Sequence, residues 1–158
     1  MSQRTLSKSN DFPHTTTQAT WGDSPLSSRL HHVALSAADL TKSTEFYDAV
    51  LSPLGYKRTH TFDSICVWGA QEPEVLLYPT EDSNTSPHRK GRAGLQHLAI
   101  EVIGRHIVDD VHNAIIAGGW TVVFPPREYP DYAPGYYAVF VEDPDGSRWE
   151  FLHCPKQS

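Results

Sequence analysis

The chain has 158 residues, of which 39% are hydrophobic and 20% are charged, and its net charge at pH 7 is −6. This length and composition predict one globular domain with room for a tail. The acidic balance and the lack of a basic stripe argue against nucleic-acid binding, and the apolar runs are too short to cross a membrane. Two cysteines outside any CxxC motif, and no apolar secretory stretch in the first ten residues, favour a cytoplasmic protein with reduced thiols.

The first part of the chain differs in composition from the rest. Residues 1–28 are rich in Ser, Thr, Gln and Asn and show no sustained hydrophobic period. Such a segment cannot bury enough apolar surface to offset its ordering entropy. We therefore predict a flexible polar tail over residues 1–28, followed by a single domain over residues 29–155.

The first half of the domain reads as one strand, one helix and three further strands. The alternating pattern of residues 29–36 predicts a strand, and Asp39 is suited to cap the helix that begins at Leu40. Pro53 and Gly55 are expected to end this helix. Three short strand patterns follow, over residues 56–61, 64–69 and 74–78.

A polar linker over residues 80–93 joins the two halves. It contains His88, Arg89, Lys90 and Arg92, which form a small basic segment. Two interpretations stay open for this segment: a solvated linker, or a surface that meets an anionic substrate.

The second half repeats the order of elements. A strand is predicted over residues 95–103 and a helix over residues 105–117, which the glycine pair at 118–119 stops. The remaining patterns predict a strand over residues 120–124, a proline-rich loop over 125–134, and two strands over 136–141 and 148–153 joined by a turn at 143–146.

Each half also opens with a histidine. His32 begins the first strand of one half, and His97 begins the first strand of the other, 65 positions later. The β-α-β-β-β order written twice predicts an α+β fold of two βαβββ modules, over about residues 29–80 and 94–154. Because one helix covers only one face of each small sheet, the other face must close against the second module or a second chain.

Longer motifs in both halves resemble the vicinal oxygen chelate superfamily, which includes glyoxalase I, extradiol dioxygenases, fosfomycin-resistance enzymes and bleomycin-binding proteins. The matching segments are HVALSAADL (32–40), HLAIEV (97–102), AGG (117–119) and FVEDPDG (140–146). The resemblance covers about residues 30–153 and implies a short single-domain member with a curved mixed sheet around a central cavity. It says less about the reaction, because one fold can host many chemistries.

The resemblance also implies a set of metal ligands. In this family the ligands come from the first and last strands of each module. Carried over to this sequence, these positions are His32 and His97 on the first strands and Glu150 on the last strand of the second module. The fourth position falls on Leu76, which cannot bind a metal. Glu74 shares the strand face of Leu76 and would replace it only in a shifted register.

Two imidazoles and one carboxylate leave positions of a divalent ion open for water, O2 or substrate. Fe2+ and Mn2+ suit this set, and Zn2+ also accepts it. An extradiol-dioxygenase-like enzyme, acting on a small molecule chelated through two adjacent oxygens, fits the triad best. Two alternatives stay open: a glyoxalase-like lyase or isomerase with water as its missing ligand, and a metal-free protein that binds an antibiotic or metabolite.

Further residues are candidates for the same cavity. Tyr136 and Tyr137 stand at the start of an inner strand, where one of them could donate a hydrogen bond to a substrate oxygen; an aromatic core pair is the alternative. His31 is expected to turn away from His32 by strand alternation. The resemblance implies a small-molecule substrate and a homodimer, with the cavity either within one chain or shared between two.

Overall fold

The computed structural model describes residues 28–62, 65–69, 73–82 and 86–155, so the predicted tail, apart from Ser28, lies outside it. The first module comprises β1 (His32–Ala37), α1 (Leu40–Leu51), a 3₁₀ turn (Ser52–Leu54), β2 (Lys57–Phe62), β3 (Ile65–Gly69) and β4 (Glu74–Pro79). The second comprises β5 (Leu98–Glu101), α2 (Arg105–Gly118), β6 (Thr121–Glu128), β7 (Tyr137–Glu142) and β8 (Arg148–His153). This order confirms the predicted α+β fold of two βαβββ modules. None of the described helices is long and apolar enough to span a membrane.

Each module contains one four-stranded mixed sheet, with strand orders β1-β4-β3-β2 and β5-β8-β7-β6. The first and last strands of each module run parallel, and the other neighbours are antiparallel. Ala34 lies opposite Leu76 in the first sheet, and Ala99 lies opposite Glu150 in the second. The repeat therefore places Leu76 at the position equivalent to Glu150, as the aligned sequences predict. In the described part of the chain, β1 and β5 are edge strands, each paired on one side.

The two helices pack against each other and close one core between the modules. Asp39 caps α1 as predicted, because its carboxylate accepts the backbone N–H of Lys42 at 3.0 Å. The helix-facing sides of both sheets complete the core. Its largest fully buried side chains include Phe46, Tyr47 and Leu51 of α1, Ile115 of α2, and Trp68, Trp149 and Phe151 of the sheets.

Strand β6 is longer than predicted. It continues past Phe124 through Pro125 and Pro126 to Glu128, where the sequence predicts a loop. Proline cannot donate a ladder hydrogen bond, but β6 is an edge strand, and its pairing with β7 shifts register between Phe124 and Arg127. Prolines are accommodated at such a bulge on a sheet edge. The consequence is that Phe124 and Arg127 belong to the sheet.

The turn between β7 and β8 locks the second module onto the first. The carboxylate of Asp145 accepts the backbone N–H of Ala38 and the hydroxyl of Ser43, both at 3.0 Å. The buried Asp143 accepts the hydroxyl of Tyr47 at 2.6 Å. Both acidic residues of the predicted turn therefore accept hydrogen bonds from α1 or from the residue just before its cap, in addition to shaping the hairpin.

Burial raises the pKa of Asp143 above its ordinary value of 3.8. The Asp143 carboxyl loses its proton at lower pH in the unfolded chain than in the folded protein. Its contribution to the free energy of unfolding therefore decreases as pH rises from 3.8 through the raised pKa. We expect Asp143→Asn to lack this pH-dependent contribution, because an amide does not titrate. Urea unfolding at intervals from about pH 4 to about pH 7 should show the wild-type stability falling relative to the variant across that window. A constant difference would contradict the assignment.

Candidate metal centre

Glu150 is a charged side chain in the middle of β8, and it is only 3% exposed. Its neighbours Trp149 and Phe151 point into the core between the helices and the sheets. Strand alternation turns Glu150 to the opposite, helix-free face, where it lies across from Phe140 of β7. A buried carboxylate is costly unless its oxygens are paired, so its partners define the site.

Both oxygens of Glu150 have partners. Tyr136 donates its hydroxyl to Oε1 at 2.7 Å, and Nε2 of His97 lies 3.1 Å from Oε2. The other ring nitrogen of His97, Nδ1, contacts Oε1 of Gln96. Burial, and then the bond to Glu150, raise the pKa of Tyr136, so its hydroxyl remains a donor at neutral pH. The arrangement holds one carboxylate and one imidazole in fixed orientation.

An aromatic wall lies beside this pair. The ring of Phe140 meets the ring of His97 edge-on at 6.0 Å, and it also contacts Phe124 and Tyr129. The guanidinium of Arg127 lies over both Phe124 and Tyr129, at 5.4 and 4.6 Å from the ring centroids. The sequence offers Phe140 as a residue that could line the cavity, without fixing its face. It does not indicate Phe124, Arg127 or Tyr129, because Pro125 and Pro126 conceal the continuation of β6. The only sequence signal was the clustering of aromatic residues near the prolines.

His32 does not reach this pair within one copy of the chain. Its side chain is exposed on β1, opposite Glu74 of β4, and its Nδ1 lies 3.1 Å from Nδ1 of His31. The expectation that His31 turns away was wrong, because His31 precedes β1 and strand alternation does not govern it. Among the described residues, no three His, Cys, Asp or Glu side chains converge as a metal site. One copy therefore brings together His97 and Glu150 and leaves His32 and Glu74 on the other sheet.

The two candidate tyrosines lie on opposite faces of the second sheet. Tyr136 reaches Glu150, whereas Tyr137 donates its hydroxyl to Asp109 of α2 at 2.8 Å. The guanidinium of Arg105 covers the ring of Tyr137 at 5.1 Å. Only Tyr136 is placed to act at the candidate centre.

The spacing of the two donors fits a common metal ion. Adjacent ligands of one octahedral ion, with bonds of about 2.1 Å, stand about 3 Å apart. The 3.1 Å between Nε2 of His97 and Oε2 of Glu150 matches that separation. An imidazole and a carboxylate are donors that Fe2+, Mn2+ and Zn2+ all accept. Two of the three predicted ligands therefore lie close enough together to hold one ion, and His32 lies apart from them.

Comparison with known proteins places this architecture in a family. Residues 29–151 match the model of the Glyoxalase/Bleomycin resistance protein/Dioxygenase superfamily. A curated relative from Bacillus subtilis (strain 168), "Uncharacterized protein YqjT", is 30% identical over 124 residues, which cover 78% of this chain and 97% of the relative.

Solved structures agree with this match. A solved structure from Bacillus halodurans has 28% sequence identity to this chain and a TM-score of 0.68. The match covers 81% of this chain and 97% of the Bacillus halodurans chain. A glyoxalase/bleomycin resistance protein from Albidiferax ferrireducens T118 is 26% identical with the same TM-score of 0.68, covering 81% and 100%. The duplicated βαβββ modules and the family match over most of the domain together establish that the chain belongs to the Glyoxalase/Bleomycin resistance protein/Dioxygenase superfamily.

Proposed function

We propose that this protein is a divalent-metal-dependent enzyme that acts on a small oxygenated substrate held through two adjacent oxygens. The observation that carries the proposal is the buried Glu150 carboxylate, which is aligned by Tyr136 and set 3.1 Å from the imidazole of His97. Burying a carboxylate is costly, and here both of its oxygens have directed partners on the face of the sheet that no helix covers, which favours a functional role for Glu150.

We infer that a second copy of the chain supplies His32. In the described residues β1 and β5 each pair on one side only, and the alternate β1 residues His32, Ala34 and Ser36 are exposed. Leu30 and Leu95, just before these two strands, are 60% and 41% exposed. If β1 of each copy paired with β5 of the other, all four of these strand edges would be covered, and the result would be a closed twofold dimer.

In this proposal each residue has a separate task. His97 and Glu150 would hold the ion, with His32 of the second copy as the third ligand, and Tyr136 keeps the carboxylate oriented. When bound, the ion would polarise a substrate carbonyl or favour ionisation of a substrate hydroxyl. Phe140 forms an apolar wall on one side of the centre.

Measurements of reaction class separate the proposed activity from its alternatives. An extradiol-dioxygenase-like enzyme loaded with Fe2+ or Mn2+ should consume oxygen with a panel of catechols. Turnover of a glutathione thiohemiacetal without oxygen uptake would assign a glyoxalase-like lyase or isomerase instead. The second alternative is a metal-free protein that binds an antibiotic or metabolite. It would be favoured if protein purified without chelator contained no divalent ion and took up none on titration.

Tyr136→Phe tests the orienting hydrogen bond. Removing the hydroxyl frees Oε1 of Glu150, and the loss of such an outer partner costs about 10-fold to 100-fold in metal affinity. Tyr137→Phe is the matched control, because its hydroxyl contacts Asp109 on the opposite face. Metal titration of both variants should show weakened binding only for Tyr136→Phe; equal effects would contradict the assigned role.

A further inference from the structure

A groove of about 660 Å³ lies at the end of the second sheet, where β7 turns into β8. Thr121, Glu142 and Arg148 line it on the sheet side, and residues 86–90 and Arg92 of the linker line it on the other. The guanidinium of Arg148 donates to Glu142 at 2.7 Å and is only 12% exposed. Its Nε is buried and has no hydrogen-bond partner among the described residues. Arg148 is therefore a largely buried cation that Glu142 holds on the sheet side of the groove.

The described part of the linker is attached to the turn between β7 and β8. The backbone N–H of His88 donates to the carbonyl oxygen of Asp145 at 2.7 Å, and Nε2 of its ring lies 3.0 Å from the carbonyl oxygen of Leu95. The carbonyl group of His88 lies directly against Gly146, with no space for a Cβ there. These contacts place the basic segment after His88 at the rim of the groove.

Positive charge is in excess at this groove, although the whole chain carries a net charge of −6. Two arginines elsewhere in the domain are ion-paired: Arg58 lies 3.3 Å from Asp48, and Arg105 lies 2.7 Å from Glu128. The basic linker residues have no acidic partner within the described ranges. The groove is lined by four cationic side chains and two acidic ones, namely Arg89, Lys90, Arg92 and Arg148 against Glu142 and Asp143.

Strand β8 connects the groove to the candidate metal centre, because Arg148 lines the groove and Glu150 belongs to the centre. Arg148 and Glu150 lie on the same face of β8, two residues apart, which corresponds to about 7 Å along a strand. We propose that the groove binds an anionic group, a carboxylate or a phosphoryl, of the molecule whose chelating oxygens lie at Glu150. The inference rests on the proposed function and narrows its substrate class to small oxygenated molecules that also carry an anionic group.

Anion binding to the groove can be measured on metal-free protein. A negative result would then count against the anion site alone and not against the proposed metal centre. Metal-free full-length protein is titrated calorimetrically with 3-phenylpropanoate, phenyl phosphate and the neutral 3-phenylpropanamide. None of these probes has the adjacent oxygens of the proposed substrate, and their rings suit the wall around Phe140. The test variant is Lys90→Gln/Arg92→Gln. The matched control, Lys42→Gln/Lys57→Gln, removes the same charge from exposed positions in the first module.

At low ionic strength we expect one or both anions to bind at least about 10-fold more tightly than the amide, and salt should reduce this preference. The preference should fall to less than about 3-fold in Lys90→Gln/Arg92→Gln and persist in the control. The tighter of the two anionic probes identifies the anionic group. Equal binding of amide and anions, or an equal loss in both double variants, would overturn the proposal. Metal uptake measured separately tests the proposed function.

Discussion

Glu150→Gln is expected to weaken divalent-metal binding by at least about 100-fold and to remove catalytic activity with it. Glutamine keeps the size of the side chain and can still accept the hydroxyl of Tyr136, but its neutral amide is a poor metal ligand. The change removes a buried charge without opening a cavity, so circular dichroism should show an unchanged fold. Metal content after dialysis, and turnover at saturating metal, measure the effect.

The matched control for this substitution is Glu142→Gln. Glu142 lies opposite Arg148 in the same strand pair, two residues closer to the turn than the pair of Phe140 and Glu150, and it bonds Arg148 instead of the candidate centre. Its substitution should leave metal affinity within about 3-fold of wild type. If Glu142→Gln lost metal and Glu150→Gln retained it, the centre would have been placed on the wrong residues.

Gly146→Ala is expected to lower the free energy of unfolding by about 2–4 kcal/mol. Gly146 has a φ of +85°, which costs a residue with a Cβ about 1–2 kcal/mol. In addition, a Cβ at this position would overlap the carbonyl oxygen of His88, which is backbone and cannot rotate away. Urea denaturation monitored by tryptophan fluorescence measures the change.

Gly55→Ala separates strain from overlap. Gly55 has nearly the same φ, +87°, but a Cβ built there meets nothing within 4 Å. Its substitution should therefore cost only the backbone strain, about 1–2 kcal/mol. Equal losses of stability in the two alanine variants would contradict the close contact between the carbonyl oxygen of His88 and Gly146.

Local signals in the sequence were sufficient to predict the order of the elements. The cap at Asp39, the glycines that end the helices and the alternation in β8 each depend on neighbours in the chain. The extent of β6 was not predictable in this way. Whether Pro125 and Pro126 lie in a loop or a strand depends on β6 being the edge of its sheet, which is a property of the whole sheet.

Local sequence patterns also predicted some features of the candidate site and not others. The alternation of β8 turns Glu150 away from the core, and the structure brings His97 beside it. The contact between Tyr136 and Glu150 depends on how the chain enters β7, and local patterns do not specify that. The place of His32 depends on how the two sheets are arranged relative to each other. The sequence left open whether one chain or two would close the site, and one copy keeps His32 apart.

Mixing two inactive variants tests most directly whether the centre joins His97 and Glu150 of one copy to His32 of another. His32→Ala and His97→Ala should each fail to bind metal alone. In a mixed dimer, one of the two shared sites combines the intact first module of one copy with the intact second module of the other. After subunit exchange at equal concentrations, about one quarter of wild-type metal content and activity should return. No recovery, with dimers shown to exchange, would contradict the shared centre.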